Sequence, residues 1–246
     1  TIDFYHSGKG TGKKMGDGTA QSLSGIKLLH SLTENDLKKL EQRCNWRLVS
    51  QQEVIVDRQS ESSDVYFVVS GKVRVVNFSM SGREITFDEM AAGGYFGQLA
   101  ALDNQPRSAN VVAIEDSVLA SLSQQPFKDL LLEYPKIALE LLVEMGQIIR
   151  TSTDRIMDLS TIGAHNRVHA EILRLAQEEI LDDNTAKIEP VPIHGDIASR
   201  VSTTRETVAR VFSDLTKREL MERKGDALII NDLEVLHDIV EEFRGI

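Results

Sequence analysis

The sequence predicts an α+β chain: a roll of short β-strands, one long helix, and a terminal set of short helices closed by a β-hairpin. Three observations predict it. Between Val54 and Ala120, short β-branched runs recur at roughly even spacing, with Gly, Ser, Asp and Asn between them. After Pro135 the apolar period switches from two to 3.5. From Ile193 to Ile230, two helical patterns flank a tight turn and a hairpin follows.

In chain order, residues 1–24 read as a flexible tail that begins at Thr rather than Met, with Gly8, Gly10, Gly12, Gly16 and Gly18 and no apolar period. Its Ser7-Gly8-Lys9-Gly10-Thr11-Gly12-Lys13-Lys14 resembles a phosphate loop only loosely. The motif requires Gly at Ser7 and Ser or Thr at Lys14, and neither a strand before it nor a helix after it is evident. A roll domain follows over 25–134. It opens with a helical lead-in from Ile26 to Trp46, where Leu32, Leu37, Leu40 and Cys44 keep helical spacing and Thr33 offers an N-cap. The strands are Val54–Val56, Val65–Val69, Val73–Val76, Ile85–Phe87, Val111–Ala113 and Val118–Ala120, with turns at Ser70-Gly71-Lys72 and Met80-Ser81-Gly82.

Residues 135–162 form the long helix and a hinge. Ala138, Leu142, Met145, Ile149, Ser152, Ile156 and Leu159 alternate spacings of four and three, which is the seam of a two-stranded coiled coil and implies a homodimer. A single amphipathic helix lying on its own β domain is the competing reading. A polar Ser152 in that seam needs a partner, either a symmetry mate or a ligand. Past Ile162-Gly163, residues 163–246 form a smaller unit. Ile197, Ala198 and Val201 mark a first helix, Ser202-Thr203-Thr204 a turn, and Val208, Val211, Phe212 and Leu215 a second helix capped by Thr204. Met221–Ile230, turning at Gly225-Asp226, reads as a β-hairpin wing.

Composition narrows the function. A net charge of -10 excludes coating of nucleic acid by bulk electrostatics, so any DNA contact is a local patch. Aromatic residues at 5% and a single Trp46 count against stacked single-strand platforms. The lone Cys44 excludes an internal disulfide and a CxxC metal site. The apolar stretches are too short for a membrane span and the start carries no secretory block, so a cytoplasmic chain without membrane contact is expected. His165 and His169 stand four apart, but no HExxH or third ligand accompanies them, and no metal is expected. Cys44 and His30 make poor haem ligands, and no nucleophile, base and orienting group cluster by motif, so no catalytic cofactor and no enzyme activity are expected.

Two stretches carry chemistry. Arg205, Glu206 and Arg210 project from the second helix away from its apolar face; Arg can donate twice to guanine and Glu can accept from cytosine in a major groove. From Arg200 to Lys224, seven basic residues stand against four acidic ones inside an acidic chain. The other stretch is Gly93-Gly94-Tyr95-Phe96-Gly97-Gln98-Leu99-Ala100-Ala101-Leu102, followed by Pro106-Arg107-Ser108-Ala109. A glycine turn opening a short helix points free N–H groups at an anion, and Arg107 can return to pair with that anion. A plain surface turn with an exposed Arg is the bland alternative.

The order of roll, Phe96-Gly97-Gln98-Leu99 to Arg107-Ser108-Ala109 cassette, long helix and Ser202-Thr203-Thr204-Arg205-Glu206-Thr207-Val208-Ala209-Arg210 resembles the transcription regulators of the cAMP receptor protein and FNR superfamily, from about Leu28 onward. The resemblance implies a cyclic-nucleotide-binding type of jelly roll, a dimerisation helix and a C-terminal winged helix-turn-helix. It implies that Gly97, Gln98, Leu99 and Ala100, with Arg107 and Ser108, hold a cyclic phosphate, and that Ser152 and Thr153 reach the purine. It implies a dimer interface through Leu142, Met145, Ile149, Ser152, Ile156 and Leu159. Thr204, Arg205, Glu206 and Arg210 then face double-stranded DNA at a near-palindromic operator, with RNA polymerase as a further partner. The effector expected first is cAMP and second cGMP, and hydroxyls at Ser108, Ser152 and Thr153, which can serve either purine, do not select between them. Regulation independent of ligand, response to another effector, and a cyclic-nucleotide sensor acting through protein partners are the alternatives.

Two positions depart from the family pattern. Gln98 stands where cAMP binders usually carry Glu, keeping a carbonyl acceptor but losing the charge. Ser202 replaces the usual turn glycine, where a left-handed backbone costs a non-glycine residue roughly 1 kcal/mol or more.

Overall fold

The structure is a computed structural model that describes residues 22–80, 82–181 and 184–244. The phosphate-loop-like stretch Ser7–Lys14, most of the tail and Ser81 of the expected turn lie outside those residues. The chain divides into two compact units. One holds the described residues up to Asn77 together with Phe87–Glu144, and the other holds Phe78–Thr86 and the described residues from Met145 on.

The first unit opens with a 3₁₀ turn at Lys27–Leu29 and α1 (Glu34–Glu41), whose Thr33 hydroxyl accepts from the Asp36 N–H at 3.2 Å. The helical lead-in is shorter than its spacing suggests. Cys44–Trp46 leave the helix, and Asn45–Val49 form a strand, β1, tethered by the Trp46 indole N–H donating to Glu41 O at 3.3 Å. Strands β2 (Val54–Val56), β3 (Val65–Ser70), β4 (Lys72–Phe78), β5 (Glu84–Ala91) and β6 (Tyr95–Phe96) follow. Then come α2 (Gln98–Asp103), β7 (Asn110–Ala113), β8 (Ser117–Leu122), α3 (Gln124–Glu133) and α4 (Pro135–Thr161).

Two four-stranded sheets result, in the orders β1-β8-β3-β6 and β2-β7-β4-β5. The pairs β1–β8, β3–β8, β3–β6, β2–β7 and β4–β7 are antiparallel, with Asn45 opposite Ser121 and Val73 opposite Ala113. Alternating side chains from both sheets, among them Val49, Val68, Val73, Phe96, Val111 and Leu119, meet in one core. Gly71 turns β3 into β4 at φ 81, and a Cβ there would lie 2.2 Å from the Ser117 hydroxyl, so the turn admits no side chain. Helix α4 starts bound to this unit through fully buried Ile137 and Leu141; beyond them most of its apolar side chains, though not Met145, are exposed.

The second unit contains α5 (Ala164–Ala176), β9 (Ala186–Ile188), α6 (His194–Arg200), α7 (Arg205–Lys217), β10 (Met221–Lys224), β11 (Ala227–Ile230) and α8 (Leu233–Arg244). The wing is a three-stranded sheet ordered β10-β11-β9, one strand more than the hairpin read from the sequence. Its core joins Val168 and Ile172 of α5, Ile197 and Ala198 of α6, the Val208, Val211, Phe212 and Leu215 face of α7, and Leu236 and Val240 of α8.

His169 of α5 is buried here, with neither ring nitrogen hydrogen-bonded, 6.2 Å from the Phe243 ring. His165, one turn earlier on the same helix, is exposed. Burial holds the His169 pKa below 6.5, against the upward pull of Asp214 and of the His165 backbone and with a smaller downward push from Arg218. The folded chain keeps the ring neutral while the unfolded chain protonates it first. Its contribution to stability is thus complete above about pH 6.5 and is lost as pH falls toward the folded-state pKa. Denaturant midpoints measured from pH 7.5 to 5 are expected to fall, and His169→Leu to flatten that segment; the same slope in both proteins would contradict the assignment.

Candidate functional site

The roll builds its candidate site around one arginine. Gly97, between β6 and α2, sits at φ 91, and a Cβ there would lie 2.6 Å from Arg107 Nη1 and 2.6 Å from Asp64 O. Both the backbone angle and the space demand glycine. Arg107, only 5% exposed, donates from Nη1 to Gly97 O at 3.0 Å, from Nη2 to Asp64 O at 2.7 Å and from Nε to the Ser62 hydroxyl at 3.0 Å. Its guanidinium lies 5.9 Å from the centre of the Tyr66 ring, which stacks on Phe96 at 5.0 Å. Burial pulls its pKa down, yet a guanidinium stays charged in proteins. A buried cation bonded to two carbonyls and a hydroxyl has no hydrogen-bonded anion, and two of its five N–H groups are not used by these bonds. Such a group attracts an anionic ligand that can accept from it.

Around it, Gln98 is half-buried, Leu99 exposed and Ala100 buried on α2, while Ser108 is exposed beside Arg107. The structure thus brings Gly97, at the start of α2, and Arg107 together, with Ser108 next to Arg107 in the chain; the reading of Arg107 as a surface side chain does not fit its burial. Ser152 and Thr153 belong to the other unit, on the exposed stretch of α4. The Thr153 hydroxyl donates to Ile149 O at 2.9 Å, leaving its oxygen lone pairs as the groups a ligand can use.

Along α4 the expected seam is open. Leu142 and Ile149 are each 64% exposed and Ile156 is 62% exposed; Leu159 is also exposed, and Met145 is half-buried. Leu139, Val143, Ile148 and Met157 widen the uncovered apolar strip. The helix-on-roll reading describes the first two turns, through Ile137 and Leu141, and not the rest.

In the second unit, α6, a turn and α7 form the helix-turn-helix. The Thr204 hydroxyl accepts from the Thr207 N–H at 3.3 Å, capping α7, and Arg205, Glu206 and Arg210 are exposed opposite the buried Val208, Val211, Phe212 and Leu215. The Thr204 side chain holds the exposed Glu206 carboxyl below its usual pKa, so it stands as an acceptor. Arg205 lies over Gly195, where a Cβ would come within 2.9 Å of its Nε. Ser202 has φ 52, the left-handed backbone that its turn position requires.

Two positioning groups carry no sequence motif. Arg167 donates to Ile162 O at 2.9 Å, Val201 O at 2.9 Å and Ser202 O at 3.1 Å, binding the end of α4 and the α6–α7 turn to one guanidinium. Glu171, buried, accepts from Arg174 at 2.9 Å and Arg200 at 3.2 Å; burial alone would raise its pKa, and Arg174 and then Arg200 hold it below the usual value. No group of three or more metal-ligating side chains exists among the described residues, and none of their helices is long and apolar enough to cross a membrane.

Residues 46–134 match the cyclic nucleotide-binding domain family, and residues 166–239 match the Crp-like helix-turn-helix domain family. Among curated proteins the chain is similar to the cyclic AMP receptor protein of Thermus thermophilus, 27% identical over 217 residues, covering 88% of this chain and 98% of that one. It is 26% identical over 173 residues to the CRP-like cAMP-activated global transcriptional regulator of Mycobacterium tuberculosis, covering 70% and 77%. Among solved structures, a CooA mutant from Carboxydothermus hydrogenoformans superposes with a TM-score of 0.76 at 22% identity, covering 90% and 97% of the two chains. FixK2 from Bradyrhizobium japonicum gives 0.66 at 21% identity, covering 80% and 96%. At those identities the two structures establish the fold.

Gly97→Ala is expected to lower the stability of the roll by roughly 1–3 kcal/mol, since it combines a strained φ with overlap on Arg107. Chemical denaturation reads this directly, and wild-type stability in the variant would show that Gly97 is not held in this geometry.

Proposed function

The chain belongs to the cAMP receptor protein and FNR superfamily of transcription regulators, and on that premise we propose that it is a cytoplasmic homodimer that reads DNA sequence under the control of a cyclic nucleotide. The effector we assign first is cAMP, with cGMP second. The observation that carries the reading is Arg107, a buried cation whose hydrogen-bonded acceptors are all neutral, beside a glycine that leaves room for nothing else.

In this reading the cyclic phosphate engages Arg107, Ser108 and the backbone of Gly97, Gln98, Leu99 and Ala100, because an anion compensates a desolvated guanidinium better than carbonyls do. Gln98 offers its carbonyl to a ribose hydroxyl with no charge, and Ser152 and Thr153 offer hydroxyl oxygens to the purine. A second copy covers the Leu142, Met145, Ile149, Ser152, Ile156 and Leu159 seam, since coiled-coil pairing is the ordinary way to bury such a strip. Ligand and dimer are then coupled: a nucleotide that bonds to Ser152 and Thr153 favours one packing of the paired helices by its differential affinity for it.

That packing sets two winged units about one DNA turn, roughly 34 Å, apart on a near-palindromic site. Thr204 caps the reading helix and contacts the backbone, while Arg205, Glu206 and Arg210 contact bases. RNA polymerase is the proposed protein partner.

Titration calorimetry of the full chain with cAMP and with cGMP tests the reading, with Arg107→Ala alongside and circular dichroism to confirm that the variant folds. Binding of one nucleotide at micromolar affinity, at least about tenfold weaker in the variant, is expected from the loss of one charge-assisted contact. Absence of heat and of competition with either nucleotide would overturn it, and Gln98 would then mark a pocket for another effector.

A further inference from the structure

Helix α4 is fixed to the roll over its first two turns and uncovered afterward, and one pair of side chains stands at the change. Ile137 and Leu141 are fully buried, Leu142 and Val143 are exposed, and the first unit ends at Glu144. At that residue the Tyr95 hydroxyl donates to Glu144 Oε2. Tyr95 lies on β6, buried, two residues before Gly97. A phenylalanine would fill the same apolar space, so the hydroxyl adds this bond and little else. Burial and the Glu144 carboxylate push the Tyr95 pKa far up, keeping the phenol a donor.

The strand that carries Tyr95 is the shortest in its sheet. β6 has two residues, stands at the sheet edge and pairs with β3 alone, Tyr66 opposite Phe96 and Phe67 opposite Tyr95. One end of it continues into Gly97, whose carbonyl accepts from Arg107 Nη1, the same group that an anion would engage. The other end is tied to α4. A change in what Arg107 donates to therefore acts on a short edge strand bonded directly to the long helix, through groups in continuous contact.

We propose that the Tyr95–Glu144 hydrogen bond is the tie that passes occupancy of the Gly97–Arg107 cassette to α4, which makes Tyr95 and Glu144 positioning residues for DNA reading. This rests on the reading of the roll as responsive to a cyclic nucleotide. The bond holds Glu144, the last residue of the first unit, to β6. Losing it uncouples the helix without touching the cassette.

The test uses the full chain with Tyr95→Phe, Glu144→Gln and the double variant. Three quantities are read: cAMP affinity by calorimetry, DNA affinity with and without saturating cAMP, and hydrogen exchange of the amides of 141–149 without ligand. Tyr95→Phe is expected to keep cAMP affinity within about threefold while cutting the activation of DNA binding at least about fivefold, a loss of coupling rather than of binding. Exchange over 141–149 is expected to rise in the ligand-free variant. Glu144→Gln retains a carbonyl acceptor and should keep most of the coupling, and the double variant should match Tyr95→Phe. Activation in Tyr95→Phe equal to wild type overturns the proposal, as does unchanged exchange. Should wild-type DNA affinity ignore both nucleotides, it is the functional reading that fails; transmission of occupancy then fails with it, while raised exchange would still identify the bond as the anchor of α4.

Discussion

A guanidinium taken out of water must be given acceptors, and much of the irregular backbone of the roll is arranged to do that for Arg107. The loop between β2 and β3 folds on itself, with the Ser60 N–H and hydroxyl both donating to Asp57 O and the Ser60 and Ser62 hydroxyls 3.2 Å apart. It thereby presents Ser62 Oγ and Asp64 O to the arginine, while the left-handed Gly97 turns its own carbonyl inward from the other side. These acceptors keep a buried charge tolerable, but neutral acceptors offset desolvation only in part. The same arrangement that lets the roll fold makes it receptive to an anion.

The winged unit solves a related problem with the same residue type. The turn between α6 and α7 has carbonyls that no helix satisfies, and Arg167 collects those of Val201 and Ser202 together with Ile162 O at the end of α4. Buried Glu171 binds Arg200 of α6 to α5. Bonds of this kind explain how a left-handed Ser202 is held: the surrounding contacts over-determine the turn, and the strain of a non-glycine residue is carried by them. Helix α7 is consequently fixed in its unit by polar contacts at its start and by the Val208, Val211, Phe212 and Leu215 face along its length.

The strands after Val54 were legible because β-branched runs alternate between core and surface, and the helix-turn-helix because helical spacing breaks at a known kind of turn. Asn45–Val49 was not, since Leu37, Leu40 and Cys44 carry a helical period up to its edge and pairing with Ser117–Ser121 is a distant contact. β6, at two residues, is too short to have a period, and α8 follows the hairpin with no capping motif that was recognised. Of the candidate site, Gly97 and Arg107 could be read from the cassette, and Ser202 from its turn position. Arg167, Glu171 and the Tyr95 hydroxyl could not: their partners are backbone oxygens or side chains remote in sequence, and one-dimensional spacing does not encode those contacts.

In the proposed function, nucleotide in the roll makes a paired chain read a two-fold symmetric DNA sequence. Selection of binding duplexes from a random pool, run with and without cAMP, measures it in one experiment. Enrichment, only with the nucleotide, of a near-palindrome whose half-sites lie about 10 base pairs apart centre to centre is expected. The same sequences enriched equally without nucleotide, or sequences with no two-fold symmetry, would contradict it.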